Sequence, residues 1–344
     1  MNSMAGKRVK LYAAPMEGVT GYIYRNIIDD CFGGADRYFT PFISTNTNKT
    51  FTEQERRDID SGNNRPRDVI PQILSNNSCD CIKVIRALHD EYGYDEVNLN
   101  LGCPSPTVVT KHKGAGFLAF PDKLDSFLND VFVAAGKDGV RVSVKTRTGV
   151  KSHDEFIKIL DIYNQYPLSE LIVHPRVQKD LYKNSPDYDI FEYAYANSKA
   201  PVCYNGDICS VDDYQRITSR FNGLNAVMCG RGMITNPAIF ATINGGDKLS
   251  SRALRTFHNA VFKEYCAVMG ERNALFKMKK LWYYMIRNFD GADRYYKSIR
   301  KAQRRCDYEA AVNELFANCD IISQLRNIIY NDRLRWSVRL NAHM

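Results

Sequence analysis

The amino-acid sequence predicts an α/β fold, a (β/α)8 TIM barrel followed by a smaller helical domain. Eight short apolar runs with strand character alternate with amphipathic helical stretches over roughly the first 240 residues, the order expected of a parallel barrel. Nearly every run ends in polar or turn-forming residues, as barrel strands do at the face that carries their chemistry. Beyond Gly245 the strand pattern stops and helical periodicity takes over.

The predicted strands are short, and amphipathic stretches long enough for a helix lie between them. Such helical patterns occur at residues 81–93, 123–137 and 154–166. An open doubly wound sheet is the alternative, and it is disfavoured because no G-x-G-x-x-G turn follows the first strand. The strands are 10–15 (KLYAAP), 37–44 (RYFTPFIS), 68–74 (DVIPQIL), 96–102 (EVNLNLG), 140–147 (VRVSVKTR), 171–176 (LIVHPR), 201–207 (PVCYNGD) and 226–232 (AVMCGRG).

A turn at Gly245-Gly246 divides the chain into a predicted catalytic barrel, residues 1–244, and a helical domain, residues 245–344. The segment 274–289 of the second domain places five large apolar side chains on one helical face. That face predicts core packing rather than a platform for stacking bases. Its members are Met278, Leu281, Trp282, Met285 and Phe289.

Charge is unevenly distributed along the chain. Residues 245–344 carry 19 Lys and Arg against 10 Asp and Glu, so the whole formal excess of +8 comes from this region. A neutral body with a basic C-terminal region predicts a polyanionic partner, and a solvated helical surface without a ligand is the alternative. Four basic side chains recur at about one helical turn and predict a basic stripe: Arg294, Lys297, Lys301 and Arg305.

Hydropathy predicts the location of the protein. No run of 18 apolar residues occurs, so we expect no transmembrane helix and no membrane partner. The stretch before Pro15 is not apolar enough for a signal peptide. We therefore expect a cytoplasmic protein.

The ten cysteines show no C-x-x-C pair and no spacing typical of zinc or iron–sulfur sites, so we expect no metal. Nine of them are predicted to be buried reduced thiols, because most, such as Cys203 and Cys229, lie inside apolar runs. Cys103 is the exception, since it follows a strand on a loop between Gly102 and Pro104.

The predicted strand ends bring a ring of side chains to one face of the barrel. Alternation along a strand puts Asn98 and Asn100 on one face, and Lys145 and Arg147 on another shared face. A purely structural barrel end would not need a lysine, a histidine and two amides together. In order, the ring contains Pro15-Met16-Glu17, Gln72, Asn100 with Cys103, Lys145 with Arg147, His174, Asn205-Gly206-Asp207 and Gly230-Arg231-Gly232.

The last two strand ends predict a phosphate site. The glycines of CGRG (229–232) let backbone N–H groups approach a phosphate, and Arg231 adds positive charge. A phosphate handle beside a polar mouth suits flavin mononucleotide (FMN), because Lys145 fits the N1–O2 edge of the flavin. Gln72 and Asn100 fit its ring amides. Any other phosphorylated ligand would satisfy the spacing as well.

Six motifs occur in order at these strands and together are similar to one family. They are APMEGVT (14–20), NLNLGCPSP (98–106), VKTRTG (144–149), HPR (174–176), NGD (205–207) and CGRG (229–232). The combination resembles the tRNA-dihydrouridine synthases, flavin-dependent reductases of uridine in RNA. The resemblance covers roughly residues 10–240. The C-terminal region resembles the family's helical tRNA-binding domain in length, basic balance and aromatic content.

The resemblance implies a role for each member of the ring. Asn100 matches the family's asparagine at the uracil and the flavin, and Cys103 matches its proton donor. The segment from Cys103 to Gly114-Ala115-Gly116 would form a lid over the site. The implied FMN contacts are Pro15, Met16, Glu17, Gln72, Asn100, Lys145, His174, Asn205, Gly206, Asp207, Gly230 and Arg231.

The implied reaction is reduction of the uracil C5=C6 bond, with hydride from NADPH or NADH passing through FMN to C6. Cys103 would deliver a proton to C5, since a thiol with a pKa of about 8.5 is mostly protonated at neutral pH. The implied partner is tRNA, and we expect a monomer. RNA contacts are expected at Arg147, Arg176 and Lys179 near the site, Lys111 and Lys113 on the lid, and Arg294, Lys297 and Lys301 in the helical domain.

Other functions remain open on the residues alone. A flavin-dependent dehydrogenase of a free pyrimidine, similar to dihydroorotate dehydrogenase, would have no use for the basic C-terminal region. An RNA chaperone that kept the barrel and lost catalysis would not need Cys103, Lys145 and His174 together. Ribosomal RNA could replace tRNA as the substrate. The position of the uridine and the choice between NADPH and NADH are not encoded in spacing.

Overall fold

The computed structural model describes residues 8–46, 49–66 and 68–322. All eight predicted strands are present in it, and the second and third are each divided into two segments. The predicted domains also include residues 1–7 and 323–344, which lie outside the described residues. The strand segments are β1 (Lys10–Ala13), β2 (Arg37–Phe39), β3 (Ile43–Ser44), β4 (Val69–Ile70), β5 (Gln72–Leu74), β6 (Glu96–Leu101), β7 (Arg141–Arg147), β8 (Leu171–His174), β9 (Val202–Tyr204) and β10 (Ala226–Cys229).

Helices connect the strands and continue after the last of them. The patterns predicted to be helical correspond to α3, α5 and α6 in the following set. The helices are α1 (Tyr22–Cys31), α2 (Glu53–Ile59), α3 (Ser78–Tyr92), α4 (Pro106–Val109), α5 (Pro121–Lys137), α6 (Glu155–Tyr163), α7 (Tyr188–Asn197), α8 (Val211–Arg220), α9 (Arg231–Thr235), α10 (Ile239–Ile243), α11 (Ser251–Met285), α12 (Asp293–Lys301) and α13 (Arg305–Asn318).

The strand segments form one parallel sheet that closes into an eight-stranded barrel. β1 pairs with β10 on one side and with β2 on the other. β2 pairs with β4 while β3 pairs with β5, so the two halves of the second strand bind the two halves of the third. Pro71 separates β4 from β5 because proline has no backbone N–H for the ladder. The predicted TIM-barrel fold with a helical C-terminal region is confirmed.

Side chains that point into the barrel alternate with side chains that pack against the helices. Leu11, Val97 and Val173 belong to the large apolar cluster between strands and helices. A separate apolar cluster fills the barrel interior: Tyr12, Ala14, Phe39, Ile70, Ile172, Cys203, Ala226 and Met228. Inward positions nearer the carboxyl ends of the strands include the polar side chains of Gln72, Asn98, Asn100 and Lys145.

Two barrel helices show how the sequence defines helix ends. α3 begins after Asn77, whose side-chain oxygen accepts a hydrogen bond from Asp80 N at 2.9 Å, and it ends at Gly93 in the left-handed region (φ 73°). α8 begins after Ser210, whose hydroxyl accepts from Asp213 N at 3.1 Å while the Asp213 carboxylate accepts from Ser210 N. These caps satisfy N–H groups that a helix leaves unpaired.

The C-terminal helices pack on the barrel and on one another. α11 is interrupted at Gly270 (φ 77°, ψ 159°). Its first half covers α1, where the ring of Phe257 meets that of Tyr24 edge-on with centroids 5.7 Å apart. The predicted core face of residues 274–289 is confirmed, because its five apolar side chains are at most 6% exposed.

The prediction of nine buried thiols is wrong for most of them, although all ten cysteines are free. Cys31, Cys79 and Cys306 are exposed because they lie on outward faces of α1, α3 and α13. Apolar neighbours in sequence predict burial on a strand, whereas a helix turns successive residues through every direction. The buried thiols are Cys81, Cys203 and Cys229.

Within residues 8–46, 49–66 and 68–322, no helix is both long and apolar enough to span a bilayer. Over the same ranges, no three or more His, Cys, Asp or Glu side chains gather in a way that could hold a metal ion.

Candidate active site

Polar side chains meet at the carboxyl ends of the central barrel strands. The register places Asn100 of β6 beside Lys145 of β7, and Arg147 of β7 beside His174 of β8. Because parallel strands carry their carboxyl ends to the same edge, these residues surround one mouth. The structure therefore brings together the middle of the ring predicted from the sequence.

The loop that carries Cys103 is held from two sides. The side-chain oxygen of Asn100 accepts hydrogen bonds from the backbone N–H groups of Gly102 (3.1 Å) and Cys103 (2.9 Å). The carbonyl of Cys103 accepts from Ala115 N at 3.0 Å. Gly114 has φ +55°, and a Cβ at this position would lie 2.8 Å from the Cys103 carbonyl oxygen. A glycine is therefore needed here for the loop to approach so closely.

The Cys103 side chain is partly exposed at the mouth. Burial raises the pKa of Cys103 above its ordinary value. The backbone N–H of Ser105 and the guanidinium of Arg147 act in the opposite direction, because both stabilise a thiolate. The site can thus hold a proton on sulfur and also accommodate the anion left after its transfer.

The segment predicted to be a lid is folded against the barrel. It forms α4 and then a 3-10 turn over Gly114–Ala119. Lys111 is exposed, as an RNA contact would require. Lys113 instead donates a hydrogen bond from Nζ to the carbonyl of Thr45 at 3.1 Å, so part of its donor capacity is used within the protein.

Lys145 places a positively charged side chain at the mouth. Burial, followed by the positive charge of Arg147, lowers the pKa of Lys145 to about 8. Among the residues that the structure describes, none accepts a hydrogen bond from its Nζ. Lys145 is partly exposed, and a partly buried ammonium without a partner is costly, so an anionic ligand at this position would both bind and raise that pKa.

His174 is neutral, and its tautomer follows from its neighbour. Burial, reinforced by the charges of Arg147 and Lys145, lowers the pKa of His174 well below its ordinary value. Arg176 Nη1 lies 3.0 Å from His174 Nε2. Because a guanidinium only donates, Nε2 must accept, and the single ring proton of the neutral imidazole lies on Nδ1. His174 therefore offers one N–H donor at its other nitrogen.

Two arginines share the carboxylate of Asp207. Arg231 Nη2 lies 2.6 Å from one oxygen of Asp207, and Arg176 binds both oxygens in a bidentate pair. The ring of Tyr182, which the sequence analysis did not single out, covers the Arg231 guanidinium with 4.4 Å between Cζ and the ring centroid. The one negative charge of Asp207 does not cancel the two positive charges of Arg176 and Arg231. The remaining positive charge favours an anion at the predicted phosphate position.

The glycines of NGD and CGRG serve packing as well as access. A Cβ on Gly232 would lie 2.0 Å from the carbonyl oxygen of Ile208. A Cβ on Gly206 would lie 2.8 Å from Tyr204 Oη. A Cβ on Gly230 would make only ordinary van der Waals contacts with its neighbours. Gly230 directly precedes α9, whose first N–H groups have no partner within the helix. Asn205 is fixed by a bond from Nδ2 to Met228 O at 2.8 Å.

The loop after β1 is a tight turn that also contacts the C-terminal helices. Met16 N donates to Thr20 Oγ1 at 2.8 Å, and Thr20 N donates back to Met16 O at 3.0 Å. Pro15 and Met16 are partly exposed, and Glu17 is exposed. Lys277 of α11 reaches this loop, a contact that sequence reasoning missed because nothing local indicates it.

Gln72 lies beneath the mouth and not on its surface. Its side chain is wholly buried. The amide accepts from Asn100 Nδ2 at 2.7 Å and donates to Asn98 Oδ1 at 2.7 Å. The side-chain nitrogens of Gln72 and Asn100 each keep a second hydrogen that these bonds do not use. Asn100 is 8% exposed, so of these two residues it is the one that reaches the mouth.

The expectation that Arg147 and Arg176 contact RNA is wrong, because both are buried. Arg147 is 1% exposed and donates to the carbonyls of Gly102, Val177 and Leu181 at 3.1, 2.9 and 2.7 Å. Arg176 is wholly buried against Asp207. Both guanidiniums bind groups inside the protein, where they hold loops together.

Lys179 and the basic residues of α12 are exposed. Arg294, Lys297 and Lys301 lie on the outward side of α12, whose inward side chains are Tyr295 and Ile299. The predicted stripe is wrong for its fourth member, Arg305. α12 ends at Lys301, and Arg305 begins α13, where it forms ion pairs with Glu309 and Glu271.

Fold and site together define a TIM-barrel enzyme whose candidate active site lies at the carboxyl ends of the strands. Two solved structures share the fold. A 2-naphthoyl-CoA reductase complex matches with a TM-score of 0.52 at 12% identity, over 70% of this chain and 50% of its own. A variant of NCR from Zymomonas mobilis matches with a TM-score of 0.50 at 13% identity, over 75% and 96% of the two chains.

The chain belongs to the dihydrouridine synthase (Dus) family, whose sequence profile matches residues 12–319. The tRNA-dihydrouridine synthase B of Shewanella oneidensis is 30% identical over 237 residues, 68% of this chain and 70% of that protein. The tRNA-dihydrouridine synthase B of Pasteurella multocida is 28% identical over 234 residues, 67% and 68% of the two chains. The family predicted from the six motifs is confirmed.

Proposed function

We propose that this protein is an FMN-dependent tRNA-dihydrouridine synthase that reduces the C5=C6 bond of uridine in tRNA, with NADPH or NADH as the reductant. The observation that carries the proposal is the thiol of Cys103, on a loop held by Asn100, at the same barrel mouth as Lys145, whose ammonium has no hydrogen-bond partner among the described residues. Membership of the dihydrouridine synthase family and the names of the two relatives support the substrate class.

The donors at the mouth fit FMN. A flavin offers carbonyl oxygens and an N1–C2 edge that becomes negative on reduction, and Lys145 has no competing partner among the described residues. Asn100 Nδ2 and His174 Nδ1 each keep one N–H for an acceptor. Arg231, at the start of α9, would hold the phosphate together with the backbone of Gly230.

When bound, FMN supplies the electron pair that reduces the pyrimidine. Cys103 holds the proton for C5 on Sγ, and the thiolate that remains is stabilised by the N–H of Ser105 and the charge of Arg147. Asn100 keeps the sulfur in place through the Cys103 N–H and presents its remaining amide hydrogen to a carbonyl oxygen. Lys145 neutralises negative charge at the mouth.

RNA would bind across the mouth and the helical region. The target uridine has to leave its stack to reach Cys103, and loop nucleotides of a tRNA make that step less costly. Arg294, Lys297 and Lys301 would contact phosphates and so position the RNA without reading its sequence. We assign FMN binding to residues 1–244 and RNA binding to residues 245–344 on this basis.

The test compares Cys103→Ala with Cys79→Ala, which removes an exposed thiol on the outer helix α3. The first variant should retain its yellow flavin and lose roughly 10²–10⁴ in the rate at which unmodified tRNA reoxidises the reduced enzyme. The second should match the wild type. Unchanged turnover in Cys103→Ala would remove Cys103 from the mechanism.

The choice of substrate is tested with the same reduced enzyme. Reoxidation by unmodified tRNA, and none by free orotate, is the expected result. Reoxidation by orotate alone would identify a free-pyrimidine dehydrogenase, and a colourless protein that cannot be reconstituted with flavin would identify an RNA chaperone. Mapping dihydrouridine by mass spectrometry in RNA from a deletion strain would show the position, and whether transfer or ribosomal RNA loses it.

A further inference from the structure

A series of buried side-chain hydrogen bonds lies beneath the candidate active site and ends at the loop that carries Cys103. Ser143 on β7, Asn98 on β6 and Gln72 on β5 are wholly buried, and Asn100 on β6 is 8% exposed. Neighbours in this series are linked at 2.9, 2.7 and 2.7 Å. Asn100 Oδ1 then accepts the backbone N–H of Cys103 at 2.9 Å. We call Ser143, Asn98, Gln72 and Asn100 the amide relay.

The active-site end of the amide relay has a fixed polarity. The backbone groups of Gly102 and Cys103 that face Asn100 are both N–H donors, so the oxygen of the Asn100 amide must point towards them. The nitrogen of Asn100 then faces Gln72, whose oxygen must accept. Gln72 is left with its nitrogen directed at the next residue of the relay.

The other end is fixed by a backbone group of the opposite kind. Gln72 Nε2 donates to Asn98 Oδ1, and Asn98 Nδ2 donates to Ser143 Oγ. The Ser143 hydroxyl donates a hydrogen bond to the backbone carbonyl of Val97 at 3.2 Å. A carbonyl at one end and N–H groups at the other leave one consistent arrangement. Turning any amide over would place donor against donor in a dry interior.

We propose that Asn98 and Ser143 are positioning residues, which act on Cys103 through Gln72 and Asn100. Neither Asn98 nor Ser143 reaches the mouth, because both are wholly buried. They hold the Asn100 amide in one orientation, so that its oxygen restrains the Cys103 loop and its remaining hydrogen faces a ligand. The use of Cys103 as an acid rests on the proposed function; the restraint of its loop does not.

The proposal predicts that two substitutions of Asn98 behave differently. Asn98→Leu has a similar volume and no polar atom, so Gln72 loses its acceptor and the Asn100 amide is no longer held in one orientation. Asn98→Asp keeps an oxygen for Gln72 in either protonation state. A carboxylate accepts from the Ser143 hydroxyl, and a carboxylic acid donates to it. The aspartate variant should therefore preserve the orientation of the Gln72 and Asn100 amides.

The experiment measures alkylation of Cys103 by iodoacetamide in the full-length protein, resolved by peptide mass spectrometry. The exposed Cys79 provides an internal reference in every sample. The matched control is Asn26→Leu, which removes another buried amide, one on helix α1 that donates to Asn63 O and accepts from Arg65 N. Turnover with unmodified tRNA is measured in parallel.

Asn98→Leu should raise the alkylation rate of Cys103 about fivefold, because the loop opens more often, and leave Cys79 unchanged. Asn98→Asp should stay within about twofold of the wild type, and Asn26→Leu should not change Cys103. In turnover, Asn98→Leu should lower kcat with little change in KM, as expected for a displaced acid. Ser143→Ala should change Cys103 in the same direction, and it replaces Asn98→Leu if that variant does not fold.

Wild-type alkylation of Cys103 in both Asn98→Leu and Ser143→Ala would overturn the proposal. An equal increase in Asn26→Leu would also overturn it, since that result describes general loosening. An Asn98→Asp variant as reactive as Asn98→Leu would show that amide polarity is irrelevant. If Cys103→Ala keeps full turnover while Asn98→Leu still exposes Cys103, the proposed function fails and the relay stands.

Discussion

Lys277, on helix α11, donates a hydrogen bond of 3.0 Å from its Nζ to the backbone carbonyl of Gly18, in the loop after β1. The two residues are 259 positions apart in the sequence. The same loop carries Pro15, Met16 and Glu17, for which the family resemblance implies flavin contacts. The C-terminal helices are therefore attached at the mouth of the barrel as well as to its outer helix α1.

We expect Lys277→Met to destabilise the protein by about 1 kcal/mol, because it removes a partly buried hydrogen bond from a charged donor and keeps the apolar stem. Urea unfolding provides the measurement. Lys297→Met, an exposed change on α12, is the control and should stay within about 0.5 kcal/mol of the wild type. Equal stability of the two variants would mean that the contact with Gly18 contributes nothing.

Arg147→Met should destabilise the protein by about 3 kcal/mol, because the carbonyls of Gly102, Val177 and Leu181 lose their donor. Arg86→Met, which removes an exposed arginine of α3, should have an effect within about 0.5 kcal/mol. Urea unfolding of both variants tests this difference. If Arg147→Met lowers the free energy of unfolding as little as Arg86→Met does, the three hydrogen bonds of Arg147 do not stabilise the loops that they join.

The same variant has a predicted effect on Cys103. Burial raises the pKa of the Cys103 thiol, and the positive charge of Arg147 holds it down. Loss of that charge should move the pH profile of Cys103 alkylation to higher pH, provided that the loop stays in place. A profile moved to lower pH would show that loop displacement dominates.

Glu170 gives the stability a specific pH dependence. Burial is the main cause that raises the pKa of Glu170 from 4.5 to about 7, although Tyr12 and Asn225 donate to one of its oxygens. The folded state therefore binds this proton more tightly than the unfolded chain does. Its contribution to stability is complete below pH 4.5 and is lost as the pH rises through 7, by up to roughly 3 kcal/mol.

Glu170→Gln should remove this dependence, so the variant gains stability relative to the wild type between pH 5 and about pH 8. Urea unfolding at four pH values across that range provides the test. Glu314→Gln, an exposed change on α13, should follow the wild type throughout. Parallel curves for Glu170→Gln and the wild type would show that Glu170 does not titrate there.

The basic side of α12 predicts the salt dependence of RNA binding. Replacing Arg294, Lys297 and Lys301 with alanine should weaken tRNA binding more at low salt than at high salt, and reduce the slope of log K against log salt by about 2 to 3. Filter binding or fluorescence titration over a salt series measures this slope. The matched control removes three exposed lysines from the outer barrel helices α3 and α5: Lys83, Lys123 and Lys137.

An unchanged slope in the α12 variant would mean that its basic side is an ordinary solvated surface. An equal reduction in the control would mean that total charge, rather than the position of α12, controls the binding.

Much of the fold followed from local pattern. β6 and β7 were predicted within a residue of their observed bounds, because alternation and β-branched residues make a buried strand visible in sequence. The division of the second and third strands was not predicted, although Pro71 inside an apolar run was a signal for it. The family was predictable because six short motifs occur in order, and each falls at a strand end.

The candidate site was predicted less completely, and charged side chains account for most of the errors. The sequence predicts RNA contacts at Arg147 and Arg176, whereas the structure buries both. The carbonyls that Arg147 binds lie up to 45 residues away, so no local pattern reveals them. Tyr182 and Lys277 were missed for the same reason, since their importance comes from what folds against them.

The sequence by itself determined the order of strands and helices, the identity of the residues at each strand end, and the thiol placed between Gly102 and Pro104. These features depend on backbone periodicity and turn chemistry, which act over a few residues. The tertiary structure alone decided which cations are buried, where the C-terminal helices attach, and which way each amide beneath Cys103 points. Those outcomes depend on satisfying every polar group in a dry interior, and the partners come from distant parts of the chain.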